Sequence, residues 1–203
     1  MENEKSSIEI LKEFASRTGR KLEYTEKPYP STAIHPVTYH RRTLYMPNND
    51  GGTSYFACFG DSREFGKYST FSGVFIHCPV SASIEIEFRN KDILDRFNPF
   101  QNKKTHSSGY RNFDSNVIIK GNDQRAVHKL SDKSQVRELI LKTFKIDSAL
   151  IIGVNSDPLN FVPGFKGSSN LGIFMIEEWI LDTKQIEKLF EIAEALREFL
   201  VVR

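Results

Sequence analysis

The stretch STFSGVFIHCPVSASIEIEF, residues 69–88, is the part of the sequence most informative about the fold class. Its second half alternates apolar and acidic residues, in the order Ile84, Glu85, Ile86, Glu87 and Phe88. A period of two places the apolar side chains on one face of a strand and the carboxylates on the other, wet face, where they need no catalytic role. Two strands in direct succession, with no helix between them, favour an antiparallel sheet over the βαβ alternation of nucleotide-binding folds.

The strand-rich pattern extends in both directions from this stretch. Further β-prone segments lie at residues 37–46, 53–59, 116–120, 149–154 and 171–176. The run PNNDGG, residues 47–52, predicts a hairpin between the first two, since Asn, Asp and Gly tolerate positive φ. The proline-bearing residues 21–36 predict an extended connector without regular structure.

Apolar residues at helical spacing predict three long helices, at about residues 7–18, 134–145 and 183–201. Ser6 and Glu9 have the spacing of a capping box before the first helix, and Asp132 and Gln135 resemble a second one. A shorter helix is predicted over residues 91–97. The sequence therefore predicts an α+β fold: a mostly antiparallel, twisted sheet with about three packed helices.

The length of 203 residues predicts a single domain over residues 1–203, with a possible subdomain boundary in the polar loop at 101–112. Its 28 basic and 26 acidic residues leave a net charge of only +2, which provides no field to attract nucleic acid. Two local basic clusters, His40-Arg41-Arg42 and Lys103-Lys104-Thr105-His106, do not change that expectation.

The cysteine content and hydropathy indicate the compartment. Cys58 and Cys78 are too few for a disulfide framework, and the sequence contains no apolar run of the roughly 20 residues needed to span a bilayer. The charged N-terminal stretch lacks the apolar core of a signal peptide. We therefore expect a cytoplasmic location.

Gly60-Asp61-Ser62 resembles the block that carries the nucleophile in GDS-type esterases. Those enzymes place the catalytic base near the C-terminus in an Asp-x-x-His arrangement. Here the last histidine is His128, and Asp123 lies five residues before it rather than three. A serine hydrolase needs that base and its orienting acid, so Ser62 is expected to be a turn residue.

A metal site is not expected either. His77 and Cys78, with Cys58 and His40 elsewhere, are residue types that zinc favours. However, neighbouring residues of a strand point to opposite faces, and no C-x-x-C or H-x-x-x-H spacing is present. The glycine- and lysine-bearing residues 163–172 lack the order of a phosphate-binding loop and predict a strand connection, which could serve recognition. No cofactor is expected.

The segments FSGVFIHCPV, FDSNVIIKGNDQRAVHKLS, VRELILKTF and SALIIGVN resemble, in that order, a bacterial family of unknown function. The matching positions are Phe71, Gly73, Phe75, Phe113, Asp114, Val117, Ile119, Asp123, Ala126, Leu130 and Ser131. The resemblance covers about residues 70–203 and implies a compact soluble domain, which often follows two membrane-spanning helices in relatives. It implies no reaction and no catalytic residue.

The matching positions have structural interpretations. Gly73 is expected at a bulge or at a point of close approach within a strand. Asp114 and Asp123 are expected in turns on either side of the strand at residues 117–120. The aromatic positions are expected to be core rings, namely Phe71, Phe75 and Phe113.

The sequence contains no complete catalytic or metal constellation, which favours a non-catalytic binding or interaction module. The alternative is an enzyme of unfamiliar type, such as a hydrolase using Ser62 or Cys78. A third hypothesis, mediation of homo-oligomers, predicts an exposed apolar stripe on the C-terminal helix. The sequence identifies no ligand and no partner.

Overall fold

Nine strands form one antiparallel sheet in the computed structural model, which describes residues 5–31, 38–49, 53–63, 68–91, 105–156 and 159–200. The strands are β1 Glu23–Pro28, β2 His40–Pro47, β3 Ser54–Asp61, β4 Thr70–His77, β5 Ile86–Asn90, β6 Thr105–His106, β7 Val117–Gly121, β8 Ile151–Val154 and β9 Asn170–Ile176. Their order across the sheet is β1-β2-β3-β4-β9-β8-β5-β7-β6.

Five α-helices accompany the sheet in these residues. They are α1 Ser7–Thr18, α2 Arg111–Asp114, α3 Gln124–Ser131, α4 Ser134–Ile146 and α5 Thr183–Leu200. A single 3-10 turn, Pro163–Phe165, lies between β8 and β9. The α+β class and the antiparallel sheet are therefore confirmed, but the helices are more numerous than the sequence predicted.

Strands β4 and β5 follow each other in the chain but are not neighbours in the sheet. Strands β9 and β8 lie between them, so the C-terminal part of the chain completes the centre of the sheet. Central strands are buried on both faces, which explains the long apolar runs of β4 and β9.

The main core lies between one face of the sheet and the helices. Alternate strand residues point into it, including Phe56 and Cys58 of β3 and Val74 and Ile76 of β4. The C-terminal helix α5 supplies its buried stripe, namely Ile186, Leu189, Phe190, Ile192, Ala193, Leu196 and Leu200. We call this side of the sheet the helical face. The exposed apolar stripe that the homo-oligomer hypothesis required is absent from the described part of α5, because the stripe packs on the sheet.

The opposite side of the same strands carries a second core built of aromatic rings. Its central members come from β3, β4 and β9, namely Phe59, Phe71, Phe75 and Phe174. Residues 159–169, here called the strap, cover them with Leu159, Phe161, Val162 and Phe165. We call this side the aromatic face.

Glycines in the central strands make room for these rings. A Cβ on Gly73 would lie 2.3 Å from the carbonyl oxygen of Ile173 and 2.4 Å from Cβ of Phe174. A Cβ on Gly172 would lie 2.5 Å from the ring of Phe75. The expected close approach at Gly73 is thus confirmed, while the register of β4 with β9 is continuous and contains no bulge.

The first and last predicted helices match the structure closely. Ser6 caps α1, and the reciprocal bonds between Ser6 and Glu9 complete the capping box. Gly19 ends that helix in the left-handed conformation that glycine adopts without strain. The predicted hairpin of β2 and β3 is also present, although residues 50–52 of its turn lie outside the described residues.

Two interpretations of the second helical region are wrong. The N-cap of α4 is Lys133, without a side-chain hydrogen bond, so Asp132 and Gln135 do not form a capping pair. The sequence analysis also missed α3, whose cap is Asp123: its carboxylate accepts from the N–H groups of Arg125 and Ala126. Asp123 therefore begins a helix instead of standing in a simple turn.

The connector and the polar loop each contain a strand that was not predicted. Residues 21–36 include β1, an edge strand, where Pro28 is tolerated at the strand end. The loop at 101–112 includes β6, which pairs with β7, and the strands on either side of this loop belong to one sheet. The short helix predicted at residues 91–97 lies outside the described residues, except for residue 91.

Asp114 organises the chain after β6. Its carboxylate accepts hydrogen bonds from the hydroxyls of Ser107 and Ser108 and from the N–H groups of Ser108 and Gly109. Burial raises the pKa of Asp114, but these hydrogen bonds together lower it below its ordinary value. Phe113 beside it is 2% exposed, so the expected core ring is confirmed.

Candidate functional site

Ser62 lies in the turn after β3, and its hydroxyl is engaged by main-chain groups. The hydroxyl accepts from the N–H of His40 at 3.0 Å and donates to the carbonyl oxygen of His40 at 3.2 Å. Among the described residues, no hydrogen bond joins Ser62 to an imidazole. This hydroxyl therefore ties the turn to the start of β2 and is not activated as a nucleophile.

Asp61 has an equally local role. It is 2% exposed, and its carboxylate accepts from the hydroxyl of Tyr29 at 2.5 Å and from the N–H of Arg63 at 3.0 Å. The guanidinium of Arg63 lies over the ring of Tyr29, 4.8 Å from its centroid. Asp61 fastens the chain after β1 to the end of β3.

The imidazole of His40 faces an acid, although not one that could complete a triad with Ser62. Its Nδ1 lies 2.9 Å from Oε1 of Glu26, close enough for an ion pair when protonated but not aligned as a hydrogen bond. The same carboxylate accepts from the hydroxyl of Tyr24 and from Nε of Arg42, which lower its pKa. Glu26 thus neutralises part of the predicted basic cluster.

The rest of the basic clusters is dispersed. Arg41 lies over the ring of Phe59 on the aromatic face, at 5.2 Å from its centroid. In the second cluster, Nε2 of His106 lies 3.0 Å from the carbonyl oxygen of Gly121, while Lys103 and Lys104 lie outside the described residues.

Both cysteines are buried free thiols on the helical face. Burial raises the pKa of the Cys78 thiol to about 12 and that of Cys58 well above its ordinary value. Because the thiolate is the nucleophile and the metal ligand, neither thiol is prepared for either role.

His77 lies on the aromatic face, away from Cys78. Its ring stacks on Phe165 with 4.4 Å between centroids, and its Nδ1 lies 3.2 Å from the hydroxyl oxygen of Ser168. The described residues contain no group of three His, Cys, Asp or Glu side chains placed to hold a metal ion.

An apolar cleft opens on the helical side of the sheet, beside the C-terminal end of α5. Its volume is about 250 Å³. The β4–β5 connection, strands β5 and β8, and helices α3 and α5 all contribute to its wall. The residues on which the interpretation depends are Val80, Ile84, Ala126, Lys129, Leu130 and Phe199.

Five of these residues are apolar and only half-buried, although they pack against the main core. Within the described chain, several of the half-buried apolar groups are thus gathered at one concave place. Water in such a cleft contacts mostly hydrocarbon, and covering it releases that water. Ligand sites are typically concave, mostly apolar and lined by a few placed polar groups.

The rim formed by the β4–β5 connection is held by Asn155. This residue has a φ of 54°, which asparagine tolerates better than most residues. Its side-chain amide donates to the carbonyl oxygens of Ser81 and Ile84, at 3.1 and 2.8 Å, and its Oδ1 accepts from the N–H of Asn170. The rim is therefore fixed to β8 and β9.

Helix α3 presents Ala126, Lys129 and Leu130 to the cleft, at the spacing that places residues on one helical face. The end of α5 is held beside it by Lys133, whose Nζ donates to the carbonyl oxygen of Phe199 at 2.7 Å. Two helices and a fixed loop thus form the wall before any ligand binds.

A small apolar cavity of about 20 Å³ lies next to the cleft. The two share Leu130, Val154 and Leu200 as lining residues. The main core therefore contains a small unfilled space directly beneath the cleft.

A wider depression lies at the other end of the sheet, with a volume of about 710 Å³. Its lining combines apolar residues of β8 and β9 with charged groups that include Arg89, Glu177 and Glu178. Glu177 has a φ of 71°, and its N–H donates to the carbonyl oxygen of Thr70. This depression is broad and mixed in charge, so the apolar cleft is the better candidate site.

Comparison of the chain with models of known protein families, with curated proteins and with solved structures gives no match. The resemblance to a bacterial family of unknown function stays a prediction. Among the described helices, none is both long enough and apolar enough to cross a bilayer.

The sequence analysis missed the cleft completely. Its wall combines a connection, two strands and two helices that are far apart in the chain. One signal was available: Asp123 is a favourable N-cap, and Ala126 and Leu130 are spaced to lie on one face of the helix that it begins.

Proposed function

We propose that this protein is a non-catalytic binding module, and that its apolar cleft takes up an apolar group of the ligand. The observation that carries this proposal is the gathering of half-buried apolar side chains around a preformed cleft of about 250 Å³. Burying such surface contributes roughly 25 cal/mol per Å². We place the module in the cytoplasm of a bacterium, which agrees with two cysteines that remain free thiols.

The contacts of Ser62 and Cys78 support binding over catalysis. The Ser62 hydroxyl is engaged by the main chain of His40, and Cys78 is a buried residue whose thiol has a raised pKa. The hydrolase alternative needs one of these groups to meet a base, and neither does so within the described residues.

The test is a titration with octan-1-ol, an uncharged amphipathic probe, followed by NMR of the methyl groups. We expect the largest shifts at the methyls of Val80, Ile84 and Leu130, because they line the cleft. Leu181 is half-buried elsewhere on the core and is expected to stay unchanged.

Two matched variants locate the binding. Ala126→Phe places a ring in the cleft and is expected to reduce the shifts at least severalfold. Ala149→Phe makes the same chemical change at an exposed position beside the wider depression, away from the cleft, and should leave them unaltered. Small uniform shifts, or equal shifts in both variants, would contradict the proposal.

A further inference from the structure

The cleft carries one charged side chain in its described lining. Lys129 lies on the cleft side of α3 between Ala126 and Leu130, is exposed, and forms no ion pair with any described residue. A cation at the mouth of an apolar wall favours a ligand with an anionic group at one end and hydrocarbon at the other.

The polar groups of the rim are already used within the protein. The carbonyl oxygen of Ser81 accepts from the amide of Asn155 and from the N–H of Ile84. The hydroxyl of Ser81 shares a hydrogen bond with the hydroxyl of Ser83. The amide of Asn155 also donates to the carbonyl oxygen of Ile84.

This arrangement favours an aliphatic chain over a peptide. Each peptide unit brings an N–H and a C=O that must find partners when they leave water. Hydrocarbon has no such groups and loses nothing by burial.

We propose that the cleft binds a linear aliphatic monocarboxylate, with its chain against Ile84, Leu130 and Phe199 and its carboxylate against the ammonium group of Lys129. This inference rests on the proposed function, since it assigns a ligand class to the same cleft. The hydrocarbon supplies most of the affinity, and the ion pair selects the head group.

Calorimetric titration of the full chain with three probes of equal chain length tests the head group. The probes are octanoate, octan-1-ol and octylammonium at neutral pH and low ionic strength. We expect octanoate to bind about fivefold more tightly than octan-1-ol, and octylammonium to bind most weakly.

Variants of Lys129 separate the ion pair from the apolar contact. Lys129→Gln should weaken octanoate about fivefold and leave octan-1-ol unchanged, while Lys129→Glu should reverse the preference between octanoate and octylammonium. Lys188→Gln is the matched control, because Lys188 is exposed on α5 and does not line the cleft.

The outcomes distinguish this inference from the proposed function. If octan-1-ol and octanoate bind equally, and Lys129→Gln changes neither, the ligand class is wrong while the cleft remains a binding site. If no probe binds, the proposed function fails as well. If an acetylated tripeptide of leucine and valine binds more tightly than octanoate, the aliphatic ligand is overturned in favour of a peptide.

Discussion

Both faces of the central strands β3, β4 and β9 are buried, but the two faces are covered in different ways. On the helical face, the stripe of α5 and the apolar sides of α1, α3 and α4 pack on mostly aliphatic strand residues. On the aromatic face, large rings fill the space above glycines, and the strap covers them with only one short 3-10 turn.

The contacts that hold the helices and the strap on the sheet differ as well. Arg20, with a side chain 6% exposed, donates to Glu187 of α5 and to Asn48, and it lies over the rings of Phe14 and Phe190. It therefore joins α1, the β2–β3 turn and α5 at one point of the helical face.

Apart from the N–H of Cys78, which donates to the carbonyl oxygen of Ser169 at its end, the strap is held to the sheet largely by its side chains. The N–H groups of Val162, Phe165 and Ser168 donate to carbonyl oxygens three residues earlier in the strap itself. Its contacts to the sheet include Phe165 with His77 and Phe161 with Phe59. Regular helices therefore secure the helical face, whereas ring packing secures the aromatic face.

The largest expected effect comes from removing a central ring of the aromatic face. Phe71 is fully buried and contacts the rings of Phe59, Tyr68, Phe75 and Phe161. Phe71→Ala should lower the free energy of unfolding by about 3–5 kcal/mol, measured by urea denaturation.

A loss that large would make the aromatic face a second core of the same importance as the helical one. Phe71→Leu, which retains most of the buried volume, should lose clearly less. A decrease of less than about 1 kcal/mol in the free energy of unfolding of Phe71→Ala would show that the rings contribute little to stability.

A smaller loss of stability is expected from adding a methyl group to a glycine at which two strands pack closely. Gly73→Ala brings a Cβ against the main chain of β9, which cannot move aside as a flexible side chain could. We expect a loss of about 1–3 kcal/mol in the free energy of unfolding. Gly60→Ala is the control, since its Cβ would meet nothing closer than 3.8 Å and should change stability little. Equal losses for both variants would contradict the role of Gly73 in close packing.

The smallest effect is a dependence of stability on pH that arises at His77. Burial lowers the pKa of its imidazole below the ordinary value of 6.5, so the folded protein binds fewer protons there than the unfolded chain does. The contribution of neutral His77 is therefore fully present above about pH 6.5 and is lost as the pH falls below it.

Urea denaturation at about pH 7.5 and about pH 5 measures this dependence. His77→Gln removes the titrating group and should reduce the difference in stability between the two pH values. We also expect proteolysis at the lower pH to cleave the strap before the helices. An unchanged pH dependence in His77→Gln would exclude this histidine as the origin.

Local patterns were predicted well because their causes lie within a few residues. The Ser6 and Glu9 capping box, the alternation of Ile86 and Phe88 and the stripe of α5 each follow from near-neighbour geometry. The edge strand β1 and the short strand β6 were missed, because their pairing with β2 and β7 provides what their own composition does not.

The antiparallel α+β class, the long helices and the incompleteness of the Ser62 block could be predicted from the sequence, since each depends on residue type and short spacing. The folded arrangement was needed to show which strands are neighbours, that glycines and rings form a second core, and that Ala126, Lys129 and Phe199 meet at one cleft. These features require residues distant in the chain to come together, and their contact depends on how the whole sheet closes its core.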